Sequence, residues 1–105
     1  MEQAVIAHIR MTKNQFGSQS EQAAIASLAD TLARAIDESQ VGEFDGEEFG
    51  DCRCVLYMYG PNADRLFEVV EPFLKAAPLA RGGFAIKRYG EASDATAKEA
   101  CVTWC

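Results

Sequence analysis

The sequence predicts a single α+β domain in which two helices lie on one side of an antiparallel sheet. The chain has 105 residues, which is the size of one domain. Two segments repeat apolar residues at helical spacing, and five segments carry the alternating or dense apolar pattern of strands. Their order is β, α, β, β, α, β, β, which is a ferredoxin-like βαββαβ plan with an additional C-terminal edge strand.

The first strand and the first helix have clear signals. Residues 4–11 alternate, so one face of the strand is apolar and the other carries Ile6, His8 and Arg10. Ser18 and Glu21 have the spacing of a capping box, which predicts a helix from there to about residue 39. The apolar stripe of this helix consists of Ile25, Leu28, Leu32 and Ile36.

A strand pair is predicted to follow the first helix. The Gly-rich acidic segment indicates a short or bulged strand at 41–44 and then a turn at Asp45 and Gly46. The dense apolar and aromatic run 53–59, ended by Gly60 and Pro61, is typical of a central strand.

The second half of the chain repeats the helix and strand order. Asn62 is placed to cap a second helix, which Pro72 should kink or restart and Pro78 should end. A strand is predicted at 84–89, a polar connection at 91–98 and a terminal edge strand at 100–105.

The charge balance argues against some classes of partner. Ten basic and sixteen acidic side chains leave a net charge of −6, which repels nucleic-acid backbones and anionic membranes. No apolar run reaches the roughly 18 residues of a membrane span, and the N-terminus lacks the pattern of a signal peptide. We therefore expect a cytoplasmic domain that folds without a cofactor and binds neither nucleic acid nor membrane.

Three sequence blocks carry a resemblance to known proteins. The segments GEFDGEEFGD, YMYGPNADRLFEVVEPFL and RYG resemble, in the same order, blocks of a group of small bacterial proteins of uncharacterised function. This resemblance covers residues 3–91 and implies no active-site residue. Size, acidity and an Asp-Gly turn give a more distant similarity to the B-type regulators of ribonuclease E activity. That similarity implies a ferredoxin-like domain that acts by binding protein.

The four cysteines invite a metal hypothesis, because a zinc site needs four ligands around one ion. On strands, Cys52 and Cys54 would be about 6.6 Å apart, and Cys101 and Cys105 about 13 Å apart. These separations favour reduced structural thiols over a metal site, a disulfide or a redox pair. A helical tail would reopen the question.

The acidic segment is predicted to be a loop that carries Glu43, Asp45, Glu47, Glu48 and Asp51. Its spacing does not match the calcium-binding loop of an EF-hand. The loop is therefore either a solvated surface or a site that recognises a basic patch on a partner, and the sequence does not separate these uses.

No catalytic pattern stands out. His8 is the only histidine, and no serine or cysteine lies in a GxSxG nucleophile context. Arg53, Tyr57 and Tyr59 occupy the strand on which RNA-recognition domains stack bases, but the run lacks the Gly-rich form of that motif. We therefore expect a binding domain rather than an enzyme, with these aromatic residues in the core or in an interface.

The uncovered side of the sheet is the predicted interaction surface. Its members are Ile6, His8, Val55, Tyr57, Tyr59 and Tyr89. Such an apolar patch indicates a homodimer or a complex with a protein partner, with the acidic loop at its rim. The alternative is a small enzyme or ligand-binding domain that uses a crevice between the acidic loop and the Gly60–Pro61 turn, with Asp45, Asp51 and Arg88 as its polar groups.

Overall fold

A computed structural model describes residues 2–12 and 16–104, and it has the predicted order of elements. Neither helix within these ranges combines the length and apolar character that crossing a membrane requires. The elements are β1 (Gln3–Arg10), α1 (Gln19–Ser39), β2 (Glu43–Gly50), β3 (Arg53–Gly60), α2 (Ala63–Ala76), a 3₁₀ turn (Pro78–Ala80), β4 (Phe84–Arg88) and β5 (Glu99–Val102).

The five strands form one sheet in the order β2-β3-β1-β4-β5, and all neighbours are antiparallel. The apolar stripes of both helices pack against the same side of this sheet, where they form one core. The ferredoxin-like prediction with an extra edge strand is therefore confirmed.

Helix α1 begins where the capping box predicts. The Ser18 hydroxyl accepts a hydrogen bond from the Glu21 amide, and Glu21 Oε1 accepts one from the Ser18 amide at 3.0 Å. Glu21 Oε2 also accepts hydrogen bonds from the backbone and hydroxyl of Thr12, at 2.8 and 2.9 Å. This buried carboxylate therefore joins the chain after β1 to the start of α1.

Helix α2 begins as predicted, and Pro72 does not restart it. The Asn62 side chain accepts hydrogen bonds from the amides of Asp64 and Arg65. The helix then runs through Pro72 to Ala76 without a new start, and Pro78 opens the 3₁₀ turn. The five apolar residues that α2 buries in the core provide the packing that offsets the backbone hydrogen bond lost at proline.

The turn between β2 and β3 differs from the prediction. Asp45 and Gly46 do not end the strand; they form a bulge within an eight-residue β2. The turn lies at Asp51 and Cys52, which both have positive φ values, 52° and 62°. Two such residues form a turn that matches strand twist, although glycine or asparagine usually occupies these positions.

The last strand is shorter than predicted and leads to a buried tryptophan. Strand β5 ends at Val102, and Trp104 Nε1 donates a hydrogen bond to the Ala80 carbonyl at 2.9 Å. Gly83 lies beneath this ring, where a Cβ atom would come 2.6 Å from both Trp104 Cζ2 and the His8 carbonyl oxygen. The C-terminal segment thus fixes the chain that enters β4.

Candidate functional site

The side of the sheet without helices is the candidate site, and we call it the open face. Strand alternation assigns each residue to a side, and paired residues on antiparallel strands share one side. On β1, Val5, Ala7 and Ile9 face the helices, so Ile6, His8 and their paired neighbours lie on the open face.

Two adjacent rows of the open face are largely apolar. Register places Tyr57 opposite Ile6 and Ile6 opposite Ile86, and in the next row Val55 opposite His8 and His8 opposite Phe84. We call these six residues the apolar band. Each of them is partly exposed. The band crosses three neighbouring strands, and Cys101 of β5 continues its first row.

The imidazole of His8 forms part of the band. Its ring stacks on the Phe84 ring with 4.7 Å between centroids and 8° between planes. Its Nδ1 atom is buried and has no hydrogen-bond partner within the described ranges. Burial, followed by the positive charge of Arg53, lowers the pKa of His8 below its ordinary value. The ring is therefore neutral at pH 7.

The prediction for Tyr89 was wrong. Arg88 lies on the open face, so the next residue points to the helix side, where the Tyr89 hydroxyl donates a hydrogen bond to Asp64 Oδ1 at 2.7 Å. Lys87 Nζ bonds the same oxygen at 3.0 Å and lies 5.1 Å from the centre of the Phe67 ring. The bonds from Tyr89 and then Lys87 lower the pKa of Asp64. Tyr89 thus ties β4 to α2.

The other five predicted interface residues lie on the open face. Ile6, His8, Val55 and Tyr57 belong to the apolar band, and Tyr59 lies in the row beyond Tyr57. Sequence reasoning missed Phe84 and Ile86, although the alternation of β4 carried the signal. That alternation does not decide which set of residues faces the helices. Both Phe84 with Ile86 and Ala85 with Tyr89 are apolar.

The two ends of the open face carry charges of different pattern. At one end Arg53 lies directly opposite Arg10, and we call this the arginine end. At the other end, one row of paired residues crosses the sheet in the order Glu43, Tyr59, Ala4, Arg88, Glu99. Glu48 lies beside Val55 at the edge of the sheet. In total, the paired strand residues of this face include three arginines and three glutamates.

The predicted acidic loop is instead the edge strand β2 and its turn. Glu43 and Glu48 lie on the open face, where the charge of Glu48 contributes, after burial, to a raised pKa of Tyr57. Glu47 points to the helix side because it pairs with Leu56. The loop prediction was wrong because the Asp45–Gly46 pair bulges a strand that continues beyond it.

The structure also contradicts the predicted ligand crevice. Asp45 and Asp51 lie near opposite ends of β2, which puts them about 20 Å apart along the strand. Arg88 lies on β4, with β3 and β1 between it and β2. The surface beside the Gly60–Pro61 turn therefore does not bring these three groups together.

The cysteines lie in different environments. Cys54 is buried on the helix side, where burial and then Glu47 raise the pKa of its thiol to about 11. Cys52 in the turn and Cys101 on β5 are exposed free thiols. Cys105 lies outside the described residues. Within 2–12 and 16–104, no three or more His, Cys, Asp or Glu side chains form a group that could hold a metal ion.

A recess of about 360 Å³ lies at the arginine end. The strand residues His8, Arg10 and Arg53 form its sheet side, together with Phe84. The turn at 51–52 and the glycine pair 82–83 close it from two directions. Nothing in the sequence pattern indicates this recess, because the register of two strand pairs and a loop creates it.

No family model, curated protein or solved structure matches this chain. The case for function therefore depends on the geometry of the open face.

Proposed function

We propose that this chain is a non-enzymatic protein-binding domain that associates through its open face, with a second copy of the same chain as its partner. The apolar band is the observation that supports this proposal. It joins side chains of three central strands into one surface that no helix covers. Apolar patches of this kind mark interaction sites on small domains.

The side-chain orientation in β4 gives the strongest support. Phe84 and Ile86 point to the open face, whereas Ala85 and Lys87 point to the helices. A strand that served only the core would place its larger apolar residues inward. This strand does the reverse, so its outward residues are best explained by a surface that needs apolar groups.

The size of the open face suits a protein partner. Five strands spaced about 4.8 Å apart, the longest of about 26 Å, give roughly 500 Å² of projected area. Side-chain relief makes the accessible area larger, and a standard interface buries about 800 Å² on each partner. The open face therefore supplies most of the surface that a specific complex requires.

The charge of the open face favours a second copy. Two chains of net charge −6 repel each other over most of their surfaces. The paired strand residues of the open face include equal numbers of arginines and glutamates, so with Asp51 of the adjoining turn this side carries only a small part of the net charge. In a two-fold arrangement the same patch meets itself, which a balanced apolar surface permits.

The resemblance to B-type regulators of ribonuclease E activity implies the same kind of role. Those proteins act by binding protein, and we extend that expectation to this chain as part of the proposal. A regulatory domain needs a surface rather than a catalytic constellation.

Sedimentation equilibrium tests the proposal. We expect wild-type chains at about 100 µM to have twice the mass of one chain, since an apolar interface of this size supports micromolar affinity. Ile86→Arg places a charge in the middle of the band on both copies and should give the mass of one chain. Ala26→Arg adds the same charge on the exposed side of α1 and should leave the dimer intact.

Two results would contradict the proposal. A single-chain mass for wild type at every concentration would exclude self-association. A dimer that survives Ile86→Arg but dissociates with Ala26→Arg would place the interface on the helices instead. Circular dichroism of both variants shows whether each is folded before its mass is interpreted.

A further inference from the structure

The arginine end carries positive charge that the described part of the chain does not neutralise. Arg10 and Arg53 are exposed and lie directly opposite each other on antiparallel strands. Like charges in this position repel each other and destabilise a sheet. Within residues 2–12 and 16–104, no carboxylate lies within ion-pairing distance of either guanidinium group. In a chain of net charge −6, this pair needs an explanation.

The two arginines line a recess rather than a flat surface. Its volume of about 360 Å³ is within the range of small-molecule sites. Arg10, Arg53 and the neutral ring of His8 lie along one wall, and Gly82 and Gly83 lie on another. Among the residues that the structure describes, Asp51 is the only acidic one that lines it.

Three further features are consistent with a polar ligand. The buried Nδ1 of His8 lacks a hydrogen-bond partner, and such atoms are rare in folded proteins. Gly82, at a φ of 82°, is exposed and its amide makes no hydrogen bond within the described ranges, so this donor is accessible to a ligand as well as to water. The recess also borders Cys52, a residue in the left-handed region. Backbone strain of this kind is often found at binding sites.

We propose that the recess binds a small molecule that carries a phosphate group, held by the guanidinium groups of Arg10 and Arg53. Guanidinium groups match phosphate oxygens in paired hydrogen bonds. A phosphate monoester carries close to two negative charges at pH 7, so it neutralises both arginines at once. A carboxylate carries only one. This site is distinct from the apolar band, although His8 and Phe84 border both.

Titration with inorganic phosphate, followed through backbone amide signals by NMR, tests the proposal. Sodium chloride keeps the ionic strength constant. We expect saturable shifts at the amides of Gly82, Gly83 and Arg53. Arg10→Met and Arg53→Met keep the aliphatic stem and should each weaken binding about tenfold or more. Arg34→Met on α1 is the matched control and should bind like wild type.

Asp51→Asn gives a prediction in the opposite direction. The carboxylate of Asp51 lines the recess and repels an anion, so its removal should strengthen phosphate binding. A variant that merely disturbed the fold would not bind more tightly.

The signal of the His8 ring provides another readout. Besides Arg53, the charged groups on its side of the sheet are Arg10, Arg88, Glu43, Glu48 and Glu99, with Asp51 in the adjoining turn. A bound phosphate should raise the pKa of His8.

Several results would overturn the inference. Shifts that do not saturate up to about 50 mM phosphate, or that chloride reproduces, would exclude a site. Unchanged binding in both arginine variants would place it elsewhere. Tighter binding of succinate than of phosphate would replace the ligand class with dicarboxylates. Much tighter binding of a short oligouridylate, with shifts at Tyr57 and Tyr59, would replace the small molecule with single-stranded RNA.

The outcome is separate from that of the proposed association. Sedimentation in the same buffers reports the mass of the chain with and without phosphate. A single-chain species that binds phosphate would support this site and refute the dimer. A dimer without saturable phosphate binding would do the opposite.

Discussion

Arg10 and Arg53 lie opposite each other at the arginine end, so one substitution there should raise the stability of the fold and remove phosphate binding. Arg53→Glu converts the like-charge pair with Arg10 into an opposite-charge pair. Cross-strand Cβ atoms lie about 5 Å apart, and charges about 6 Å apart in water interact by about 0.7 kcal/mol. Changing repulsion into attraction should therefore raise the free energy of unfolding by about 1 kcal/mol, after the entropic cost of ordering two exposed side chains.

Urea unfolding at low and high salt measures this effect. At about 20 mM salt the gain should be present, and at about 500 mM it should vanish because screening acts within a few ångströms. Arg53→Met removes only the repulsion, so it should give about half of the gain. The same Arg53→Glu protein should lose phosphate binding in the NMR titration, which would show a stable fold with a disabled site.

A control variant distinguishes a local pair from net charge. Arg34→Glu makes the same change in total charge on α1, where Asp30 and Glu38 are four residues away on either side. It should lower stability, because it replaces helical opposite-charge neighbours with like charges. The reasoning is refuted if Arg53→Glu lowers stability at low salt by as much as Arg34→Glu does, or if its effect is independent of salt.

Three further predictions concern the start of α1, the turn at 51–52 and the ring of His8. Glu21→Ala should lower the free energy of unfolding, measured in urea, by about 3 kcal/mol. The reason is that it leaves the Thr12 and Ser18 donors without their acceptor. A loss below about 1 kcal/mol would mean that water replaces the carboxylate. Cys52→Gly should raise stability by about 0.5–1 kcal/mol in the same assay, since glycine adopts positive φ without strain, and a loss would show that the turn is not strained. NMR titration should give His8 a pKa below about 6.5, and Arg53→Met should raise it. Because the folded-state pKa is the lower one, stability should fall as pH drops below about 6.5; a normal pKa in wild type would contradict the burial of the ring.

Local signals in the sequence predicted the elements that local chemistry determines. The capping box of Ser18 and Glu21 and the cap at Asn62 mark where the two helices begin, because those bonds form within a few residues. The order of strands and helices then allowed one fold class. These parts of the structure needed no information about distant contacts.

The β2–β3 hairpin shows why local signals failed elsewhere. Asp45–Gly46 has the composition of a tight turn, yet the chain bulges there and turns at Asp51–Cys52. The later turn extends β2 so that Phe49, which pairs with Cys54, also packs against the core. Tertiary packing therefore outweighed the stronger local turn signal.

The site was predictable only in part, because contacts between distant parts of the chain decide its arrangement. The period of two placed Ile6 and His8 on one face of β1 and Tyr57 and Tyr59 on one face of β3, and the structure joins these into the same side of the sheet. The side of β4 could not be chosen from its residues. The opposition of Arg10 and Arg53 depends on the register between β1 and β3, which are joined through α1 and β2 rather than by a local turn. A recess formed by register has no signature in the sequence.

The most direct test of the open face as an association surface is an isotope-filtered NOE experiment. A mixture of carbon-13-labelled and unlabelled chains reports only contacts between different copies. The proposed dimer predicts intermolecular NOEs from the methyl groups of Ile6, Val55 and Ile86 to aromatic protons of the band. Intermolecular NOEs confined to α1 or α2, or none in a sample that sediments as a dimer, would contradict it.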